Sequence, residues 1–363
     1  MVYAARLTVL GSLNMDISVN VPALPVPGAT VLGGAAAFAP GGKGANQAVA
    51  AARLAADAGM TVAMIGCIGD DEFGRTLRAA LRAEGVDDGA VRVVAGVPTG
   101  IAMITVDQTG ENMITVAPGA NREVTVADTA NLASPNQSGS ATSSQGTASQ
   151  GTAASPATAA SALRDVLVIS AEVPAAVIGA ALGASGSRVL TVLNLAPAPP
   201  EAVDLVAAGP DWLVVNESEA AAVLGRRVSG LDEAAAAAAD LVAAGAGNAV
   251  VTAGAAGAAY SGPDAPYSGP DAPYGGPEAP VGRAGVVKVR GFAVTAIDTV
   301  GAGDTFVGAL AVALAAGVPP VDAVTAAAAA GAAAAARPGT QAGMPRPADV
   351  LAVTGHHWPV TLR

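Results

Sequence analysis

One stretch of the sequence, residues 297–304 (IDTVGAGD), places a carboxylate directly after a glycine turn. An apolar run follows to Ala316, so the pattern predicts a strand, a turn and a helix. The first N–H groups of a helix lack intrahelical acceptors and lie at its positive end, so this turn should attract phosphate or a developing oxyanion. Asp304 is then either an N-cap or a catalytic carboxylate. Because a cap needs no glycine on either side of Ala302, we favour an anion cradle beside a catalytic base.

A second glycine loop, residues 40–48 (PGGKGANQA), opens an alanine-rich helix that runs to about residue 57. It is not a Walker A loop, because Gly44 follows Lys43 where Ser or Thr is required. The 301–308 segment also fails the dinucleotide fingerprint, since Phe306 stands where the third glycine belongs. These two mismatches exclude the commonest nucleotide-binding motifs. Lys43 is one of only two lysines in the chain, and its glycine neighbours are unusual for a surface lysine.

Histidine and cysteine are scarce in this sequence, which restricts the possible catalytic mechanisms and metal sites. The only histidines are His356 and His357, close to the C-terminus, and the only cysteine is Cys67. This composition excludes an internal disulfide, a Cys/His zinc site and almost any histidine-dependent triad. A general base is then a carboxylate by elimination. Any metal should be a hard cation held by oxygens and phosphates.

Composition restricts the class of protein further. The chain has 363 residues, enough for one large α/β domain or two smaller ones, with a sizeable core. Only 13% of residues are charged and the net charge is −11, which argues against nucleic-acid binding. No run of bulky apolar residues is long enough to span a bilayer, and no basic leader precedes the first strand. We expect a soluble cytoplasmic protein.

Polar residues gather where predicted strands end. Asn14 and Asp16 are two apart on an extended segment and project to the same side, an arrangement suited to sugar hydroxyls or to an ordinary polar strand edge. Glu172 follows another strand, and Asn216 and Glu219 share the face of a helix. Alternating strands and helices predict a mostly parallel sheet covered on both faces, with ligands at its carboxyl ends. We predict strands at 6–10, 61–65, 101–106, 112–116, 165–170, 188–193, 212–215, 249–252, 286–289 and 292–297, and helices at 73–84 and 306–316.

Two segments have low complexity. Residues 131–160 are rich in Ser, Thr, Ala, Gly and Gln without periodicity, and we interpret them as a disordered insertion. Residues 260–280 contain a heptapeptide repeat, YSGPDAP twice and then YGGPEAP. Proline at this density excludes a helix or a central strand, so we interpret residues 260–282 as an expanded surface loop.

The ordered motifs together resemble those of the PfkB-type, or ribokinase-like, carbohydrate kinases. The segments 41–48 (GGKGANQA) and 298–306 (DTVGAGDTF) are similar to the two signatures of that family. Shorter matches are 14–16 (NMD), 118–121 (PGAN), 194–198 (NLAPA), 216–219 (NESE) and 339–341 (GTQ). The resemblance spans nearly the whole chain and is interrupted only by the two low-complexity segments.

The resemblance implies a single kinase domain over residues 1–363. The implied fold is an α/β structure, a three-layer α/β/α sandwich with a mostly parallel central sheet. A small β-sheet lid would come from about residues 14–38 and 96–118, and it would also pair two subunits in a homodimer. The implied activity is ATP-dependent phosphorylation of the 5-hydroxyl of D-ribose, with Mg²⁺ and an activating K⁺.

The resemblance also implies a role for each matching residue. Asp304 would be the general base, and Gly301, Ala302 and Gly303 would form the anion hole. The sugar would be held by Asn14, Met15, Asp16, Gly42, Lys43, Gly44, Ala45, Asn46, Glu172 and Asp304. The ATP site would comprise Asn216, Thr252, Ala253, Gly254, Ala255, Ala256, Gly257, Gly303, Asp304 and Ala328. Glu219 would bind Mg²⁺ through water, and Asp298, Val300, Ala334, Arg337, Gly339 and Gly343 would bind K⁺.

Two positions depart from the family pattern, and other functions stay open. Gly343 stands where relatives often have serine as a K⁺ ligand, and Ala328 stands where many have His or Asn near the adenine. The alternative substrates are 2-deoxyribose, another small sugar such as a fructose-type sugar, or a nucleoside, although the chain has few aromatic residues to stack on a base. A non-catalytic sugar or nucleotide sensor would be favoured by loss of Asp304 or its glycines, and both are intact. A purely structural α/β protein would leave the glycine–lysine loop unexplained.

Overall fold

The computed structural model of the chain describes residues 5–133, 163–186, 189–265 and 285–360. Most of the predicted disordered insertion, and the repeat beyond residue 265, lie outside the described residues. The first residues of that insertion, which we predicted to be disordered from residue 131, end a 3-10 helical segment, Val126–Ala133.

The regular elements alternate along the chain as the sequence predicts. The strands are β1 (Arg6–Leu10), β2 (Asn14–Asn20), β3 (Ala37–Gly41), β4 (Thr61–Gly69), β5 (Asp87–Val94), β6 (Gly100–Val106), β7 (Asn112–Ala117), β8 (Asp165–Ser170), β9 (Val189–Asn194), β10 (Trp212–Asn216), β11 (Asn248–Thr252), β12 (Gly257–Gly262) and β13 (Gly285–Arg290). The helices are α1 (Lys43–Leu54), α2 (Glu72–Ala83), α3 (Ala175–Ala184), α4 (Ala202–Ala207), α5 (Glu217–Leu224), α6 (Gly230–Ala243), α7 (Ala302–Ala315), α8 (Pro320–Ala335), α9 (Thr340–Gly343) and α10 (Pro347–Thr354).

Nine strands form the central sheet, in the order β13-β12-β11-β10-β9-β8-β1-β4-β5. All neighbours are parallel except β11 with β12 and β12 with β13. Consecutive residues on a strand face opposite sides, so Val168 and Val192 pack in one core while Ile169 and Leu193 pack in the other. The first core contains α1, α7 and α8, and the second contains α3 and α6. The predicted three-layer α/β/α fold with a mostly parallel sheet is confirmed.

A second, smaller sheet has the order β3-β2-β6-β7. Its β2 and β6 strands are parallel, and its outer pairs are antiparallel. The predicted region of 14–38 ends too early, because β3 continues to Gly41, which pairs with Asn14. Apolar side chains on this sheet face solvent, with exposed fractions of 60% for Phe38 and 51% for Met103. The small sheet leads directly into α1, because β3 ends at Gly41 and α1 begins at Lys43.

Two predicted segments are wrong in their details. We placed Tyr260 at the start of a surface loop, but Tyr260 lies in β12 and is fully buried. Its ring stacks on Trp212 with centroids 5.3 Å apart, and its hydroxyl donates to Asn248 Oδ1 at 2.9 Å. Burial of this large ring stabilises the strand, and the repeat pattern hid that contribution.

The other error concerns the predicted strand at 292–297, which forms no regular structure. The N–H groups of Ile297 and Asp298 donate to the carbonyl of Ala335 at the end of α8, at 2.8 and 3.2 Å. This segment is therefore held against a helix instead of pairing with a strand. Within the described ranges, no helix is both long and apolar enough to cross a membrane.

Candidate active site

Asp304 lies in the first turn of α7, with 7% of its surface exposed. It does not cap the helix, because the N-cap is Gly301, which adopts a φ of 79° and makes no side-chain capping bond. The carboxylate instead accepts two hydrogen bonds from α1, from Asn46 Nδ2 at 2.9 Å and from Gln47 Nε2 at 3.2 Å. The capping interpretation is thus wrong, and Asp304 is free to act on a ligand.

The start of α7 presents N–H groups that lack partners in the described part of the chain. The N–H of Ala302 donates to Thr299 O at 3.2 Å, whereas those of Gly301, Gly303 and Asp304 have no acceptor. A Cβ atom on Gly303 would meet nothing within 4 Å. Open space beside unpaired helix N–H groups is the arrangement that binds phosphate oxygens.

Polar side chains from three elements form one wall of the site. Asn121 Nδ2 donates to Asn14 Oδ1 at 2.8 Å, which fixes the amide of Asn14 at the start of β2. Ser12 Oγ donates to Glu172 Oε2 at 2.5 Å, and the same oxygen accepts the N–H of Lys43 at 3.2 Å. A cavity of about 470 Å³ is lined by residues that include Asn14, Asn121 and Glu172. The rest of its lining is largely apolar, including Val116, Val173 and Pro174. The volume and the few polar side chains at its wall suit a small molecule with hydroxyl groups.

Lys43 is a basic side chain close to the acidic groups of this wall. It opens α1 behind the N-cap Gly42, whose φ is 89°. The pKa of Lys43 is raised above 10.5, chiefly by the charge of Asp304, and Glu172, Glu219 and Asp16 add to the effect against the opposing effect of burial. Lys43 therefore stays protonated and carries a positive charge toward the mouth of α7.

Asp16 sits in an unfavourable environment for a charge. Burial, followed by the nearby charges of Glu172 and Asp304, raises its pKa from 3.8 to about 7, and Lys43 compensates only in part. The carboxylate lies against Gly41, where a Cβ atom would come within 2.1 Å of Asp16 Oδ2. Glycine at position 41 is therefore required by the close approach of this carboxylate. Perturbed carboxyl groups of this kind concentrate at functional sites.

Asn216 and Glu219 form a capping box at the start of α5. The N–H of Glu219 donates to Asn216 Oδ1 at 2.9 Å, and the N–H of Asn216 donates to Glu219 Oε2 at 2.8 Å. The pair therefore has a structural role that we did not predict from the sequence. Burial raises the pKa of Glu219, and Lys43 and Asp304 both act on it electrostatically, so this carboxylate is part of the same charged cluster.

The predicted nucleotide-binding segment is a tight turn after β11. A 3-10 turn at Gly254–Ala256 joins Thr252 to β12, and Gly257 has a φ of 115°. Gly257 is also crowded, since a Cβ atom there would lie 2.1 Å from Val289 O. Ala328 lies half-buried on α8 and packs against the first core, one turn before Gly331, where α8 meets Ala302. Of these elements, α8 therefore borders the start of α7.

The predicted cation residues also converge, from two loops. Asp298 accepts the N–H of Val300 on Oδ1 and the N–H of Gly339 on Oδ2, both at 3.0 Å. At Gly343, a Cβ atom would lie 3.1 Å from the carbonyl oxygen of Arg337. The guanidinium of Arg337 pairs instead with Asp349 at 2.7 Å, so only its carbonyl faces this loop. The loop thus brings a carboxylate and a backbone carbonyl oxygen together, which is the donor type that a hard monovalent cation prefers.

A search against known proteins agrees with this geometry. The pfkB family carbohydrate kinase domain matches residues 4–347. The chain belongs to this family. Ribokinase from Schizosaccharomyces pombe is 33% identical over 345 residues, which cover 94% of this chain and 95% of that protein. Ribokinase from Haemophilus influenzae is 33% identical over 312 residues, or 85% of each protein.

Solved structures show the same relationship. The crystal structure of ribokinase from Thermotoga maritima superposes with a TM-score of 0.73 at 27% identity, covering 96% of this chain and 99% of the other. The predicted family and fold class are therefore confirmed. As a pfkB family member, the protein is a carbohydrate kinase, an enzyme that transfers a phosphoryl group.

Several residues that shape the site escaped the sequence prediction. Gln47 directly follows the predicted ligand Asn46, but nothing in the pattern separated it from the rest of the helix. Ser12, Asn194 and Gln341 make hydrogen bonds within the site to Glu172, Gln47 and Asn46, which are 160, 147 and 295 residues away in the chain. The sequence offered only one indication of their role, which is that they lie at strand ends or within the motifs that match the family.

Proposed function

We propose that the protein transfers the γ-phosphoryl group of ATP to the 5-hydroxyl of D-ribose, giving D-ribose 5-phosphate and ADP. The observation that carries this proposal is the pairing of Asp304 with the open N–H groups at the start of α7. A carboxylate and an anion-binding turn then face the same space. The full-length similarity to ribokinases supports ribose as the acceptor.

Asp304 acts as the general base in this proposal. It accepts the proton of the 5-hydroxyl as the O5–P bond forms and the bond from the γ-phosphorus to the β–γ bridging oxygen breaks. ADP leaves with the electron pair of that bond. The N–H groups of Gly301 and Gly303 donate to the transferred phosphoryl oxygens, and the positive charge of Lys43 adds to their stabilisation. A placed base contributes about 10²–10⁴-fold to such a step.

The sugar occupies the polar wall beside the 470 Å³ cavity. Asn14, Asp16 and Glu172 accept or donate hydrogen bonds to its hydroxyls, while Asn46 approaches from α1. Met15, Gly42, Gly44 and Ala45 supply backbone and close packing. The amide–amide bond from Asn121 to Asn14 and the bond from Ser12 to Glu172 fix both side chains before the sugar arrives.

The nucleotide lies along the turn after β11, next to α5 and α8. Residues 252–257 and Ala328 line its base and ribose, and Asn216 reaches its phosphates. Magnesium prefers oxygen donors and is held by one or two carboxylates together with substrate phosphates and waters. Glu219 would bind this ion through water, and its carboxylate belongs to the same charged cluster as Asp304. The metal would supply charge neutralisation on the phosphates.

A monovalent cation, K⁺, fits the loop formed by Asp298, Val300, Ala334, Arg337, Gly339 and Gly343. Asp298 already joins the two halves of this loop through its bonds to Val300 and Gly339. Because Gly343 has no side-chain oxygen, its position contributes a carbonyl or a water. The cation would stabilise the loop that leads into the N-terminus of α7.

The small sheet acts as the lid of the sugar site and as the contact between two subunits. Its exposed apolar residues, among them Phe38, Met103 and Ile114, support a homodimer, since a second copy would cover them. A closed lid would exclude water from the transferred phosphoryl group. The expected cytoplasmic location stays a prediction.

The deciding experiment measures ADP release from MgATP by the purified protein. Ribose, 2-deoxyribose, fructose, adenosine and no sugar are compared, each with and without K⁺. Turnover on ribose well above the other acceptors supports the proposal, and stimulation by K⁺ supports the cation loop. A preference for another acceptor replaces the substrate and keeps the mechanism, whereas absence of turnover with all of them contradicts the proposed catalysis.

A further inference from the structure

Both oxygens of the Asp304 carboxylate are held by side-chain amides of consecutive residues. Asn46 Nδ2 donates to Oδ2 at 2.9 Å, and Gln47 Nε2 donates to Oδ1 at 3.2 Å. All three side chains are buried, with exposed fractions of 7% for Asp304, 5% for Asn46 and 0% for Gln47. An amide offers either its nitrogen or its oxygen to a neighbour, and only the nitrogen can donate to a carboxylate.

A third amide fixes the orientation of Asn46. Gln341 Nε2 in α9 donates to Asn46 Oδ1 at 3.0 Å, so the oxygen of Asn46 is occupied and its nitrogen faces Asp304. The backbone carbonyl of Gln341 accepts Arg53 Nη1 at 2.7 Å, which anchors α9 against α1. The bond between Gln341 and Asn46 is thus built on a fixed backbone.

A fourth amide fixes Gln47 on the other side. Asn194 Nδ2 donates to Val214 O at 3.1 Å, which turns Asn194 Oδ1 toward Gln47 Nε2 at 2.9 Å. The same nitrogen of Gln47 also donates to Asp304. Gln47 Oε1 is fully buried and has no hydrogen-bond partner within the described residues. The nitrogen therefore stays between two acceptor oxygens, although this leaves the oxygen of the same amide unpaired.

We infer that Gln341 and Asn194 are positioning residues of the phosphoryl transfer, because they set the donor ends of the two amides that clamp Asp304. We call Gln341, Asn46, Gln47 and Asn194 the amide clamp. The clamp occupies one acceptor site on each carboxylate oxygen and prevents rotation of the group. The remaining acceptor sites are then directed at the sugar hydroxyl. This inference rests on the proposed function of Asp304 as the base.

Gln341 offers the sharpest test because it is half-buried and can be replaced by side chains of the same length. In Gln341→Met the clamp loses the donor to Asn46, and kcat should fall about 10-fold. In Gln341→Glu the new carboxylate accepts from Asn46 Nδ2, which turns the oxygen of Asn46 toward Asp304. This inverted clamp should lower kcat about 100-fold, in line with the cost of small misplacements of reacting groups.

The comparison of the two variants separates positioning from other effects. If Gln341 only stabilised the fold, Gln341→Met and Gln341→Glu should lower kcat equally. Gln341→Glu could even lower it less, because Glu is polar and the site is half-buried. A long-range charge effect of Glu on the ATP phosphates would raise the KM for ATP, whereas the inverted clamp leaves it within about twofold and acts on kcat. Equal thermal unfolding midpoints for both variants serve as the folding control.

The second arm of the clamp gives an independent measurement. Gln47→Met removes the donor to Asp304 Oδ1 and should lower kcat more than 10-fold with the KM for ATP unchanged. If this buried substitution unfolds the protein, the Gln341 pair still decides. Both Gln341 variants within twofold of the unchanged protein would overturn the clamp alone. Absence of turnover in the unchanged protein with every acceptor would overturn the proposed function and the clamp with it.

Discussion

The two ends of the central sheet differ in how their buried carboxylates are stabilised. At the carboxyl end, the carboxylates of Asp16, Glu172, Glu219 and Asp304 all act electrostatically on Lys43, and the pKa of Asp16 rises to about 7. At the amino end, Asp88 accepts hydrogen bonds from Arg82 at 2.9 Å and from Arg78. Although burial of Asp88 opposes it, these bonds hold its pKa below 3.8.

A cavity lies at each end, which makes the contrast informative. The amino-end cavity is larger, at about 560 Å³ against 470 Å³, and it is bordered by Glu84. Glu84 is paired with Arg53 through two bonds of 2.9 and 2.6 Å. Cavity size alone would point to the wrong end of the sheet. At the carboxyl end, several carboxylates lie close together beside unpaired helix N–H groups, which indicates a ligand-binding site. At the amino end, the charges are paired with each other, which indicates a role in stability.

The largest effect should come from Asp304→Asn. The amide cannot accept the sugar proton as a base, so kcat should fall about 10²–10⁴-fold while the protein stays folded and binds sugar. Steady-state kinetics and sugar titration by calorimetry measure the two properties. Near-normal turnover in this variant would remove the base assignment and, with it, the functional meaning of the carboxyl-end cluster.

The two lysines of the chain allow a matched comparison, because Lys43 lies in the charged cluster and Lys288 lies outside it. Lys43→Met removes the cation of the cluster, and kcat should fall about 10²–10³-fold through lost stabilisation of phosphoryl oxygens. Lys288→Met removes a lysine whose partner Asp232 is exposed, and neither turnover nor the unfolding midpoint should change measurably. Similar kinetic losses in both variants would show that net charge, and not position, explains the effect of Lys43.

The amino-end network should affect stability without affecting catalysis. Asp88→Asn weakens the bonds to Arg78 and Arg82 at a site where 8% of the residue is exposed. The free energy of unfolding should fall by about 1–3 kcal/mol, because hydrogen bonds to a charged and largely buried acceptor become weaker. Urea denaturation measures this loss, and kcat measured below the transition should match the unchanged protein. A change in kcat would mean that the two ends are coupled.

The two ends should also show pH dependences of stability with opposite signs. Because the pKa of Asp16 is raised from 3.8 to about 7 in the folded protein, the folded state binds this proton more tightly, and stability falls as the pH rises through that window. The lowered pKa of Asp88 contributes stability above its unfolded pKa of 3.8, and this is lost as the pH falls through the folded value.

The variant Asp16→Asn isolates the carboxyl-end contribution. It should flatten the decline in unfolding free energy between pH 4 and pH 7, as measured by urea denaturation at several pH values. Asp88→Asn should leave that part of the profile unchanged and alter only the acid limb. An unaltered slope in Asp16→Asn would show that Asp16 does not carry the raised pKa.

Much of the fold followed from local patterns. The strand predicted at 165–170 has the same bounds as β8, and β6 and β7 each differ by one residue from the strands predicted at 101–106 and 112–116. The secondary structure of such segments can be predicted because it depends mainly on the residues of the segment itself. The error at Tyr260 has the opposite cause, since a proline-rich repeat hides one aromatic residue whose burial depends on Trp212, which is distant in the chain.

The site divides in the same way. The sequence by itself determined the glycine turns and the position of Asp304 at the start of a helix. It also determined that a general base must be a carboxylate, because histidine is nearly absent. These properties depend only on residue type and near neighbours in the chain. Only the tertiary structure decided which amides hold Asp304. Gln47 is 257 residues away from it, and Gln341 is 295 residues away from Asn46. Hydrogen bonds over such separations depend on the packing of α1 against α7 and α9, which no local pattern specifies.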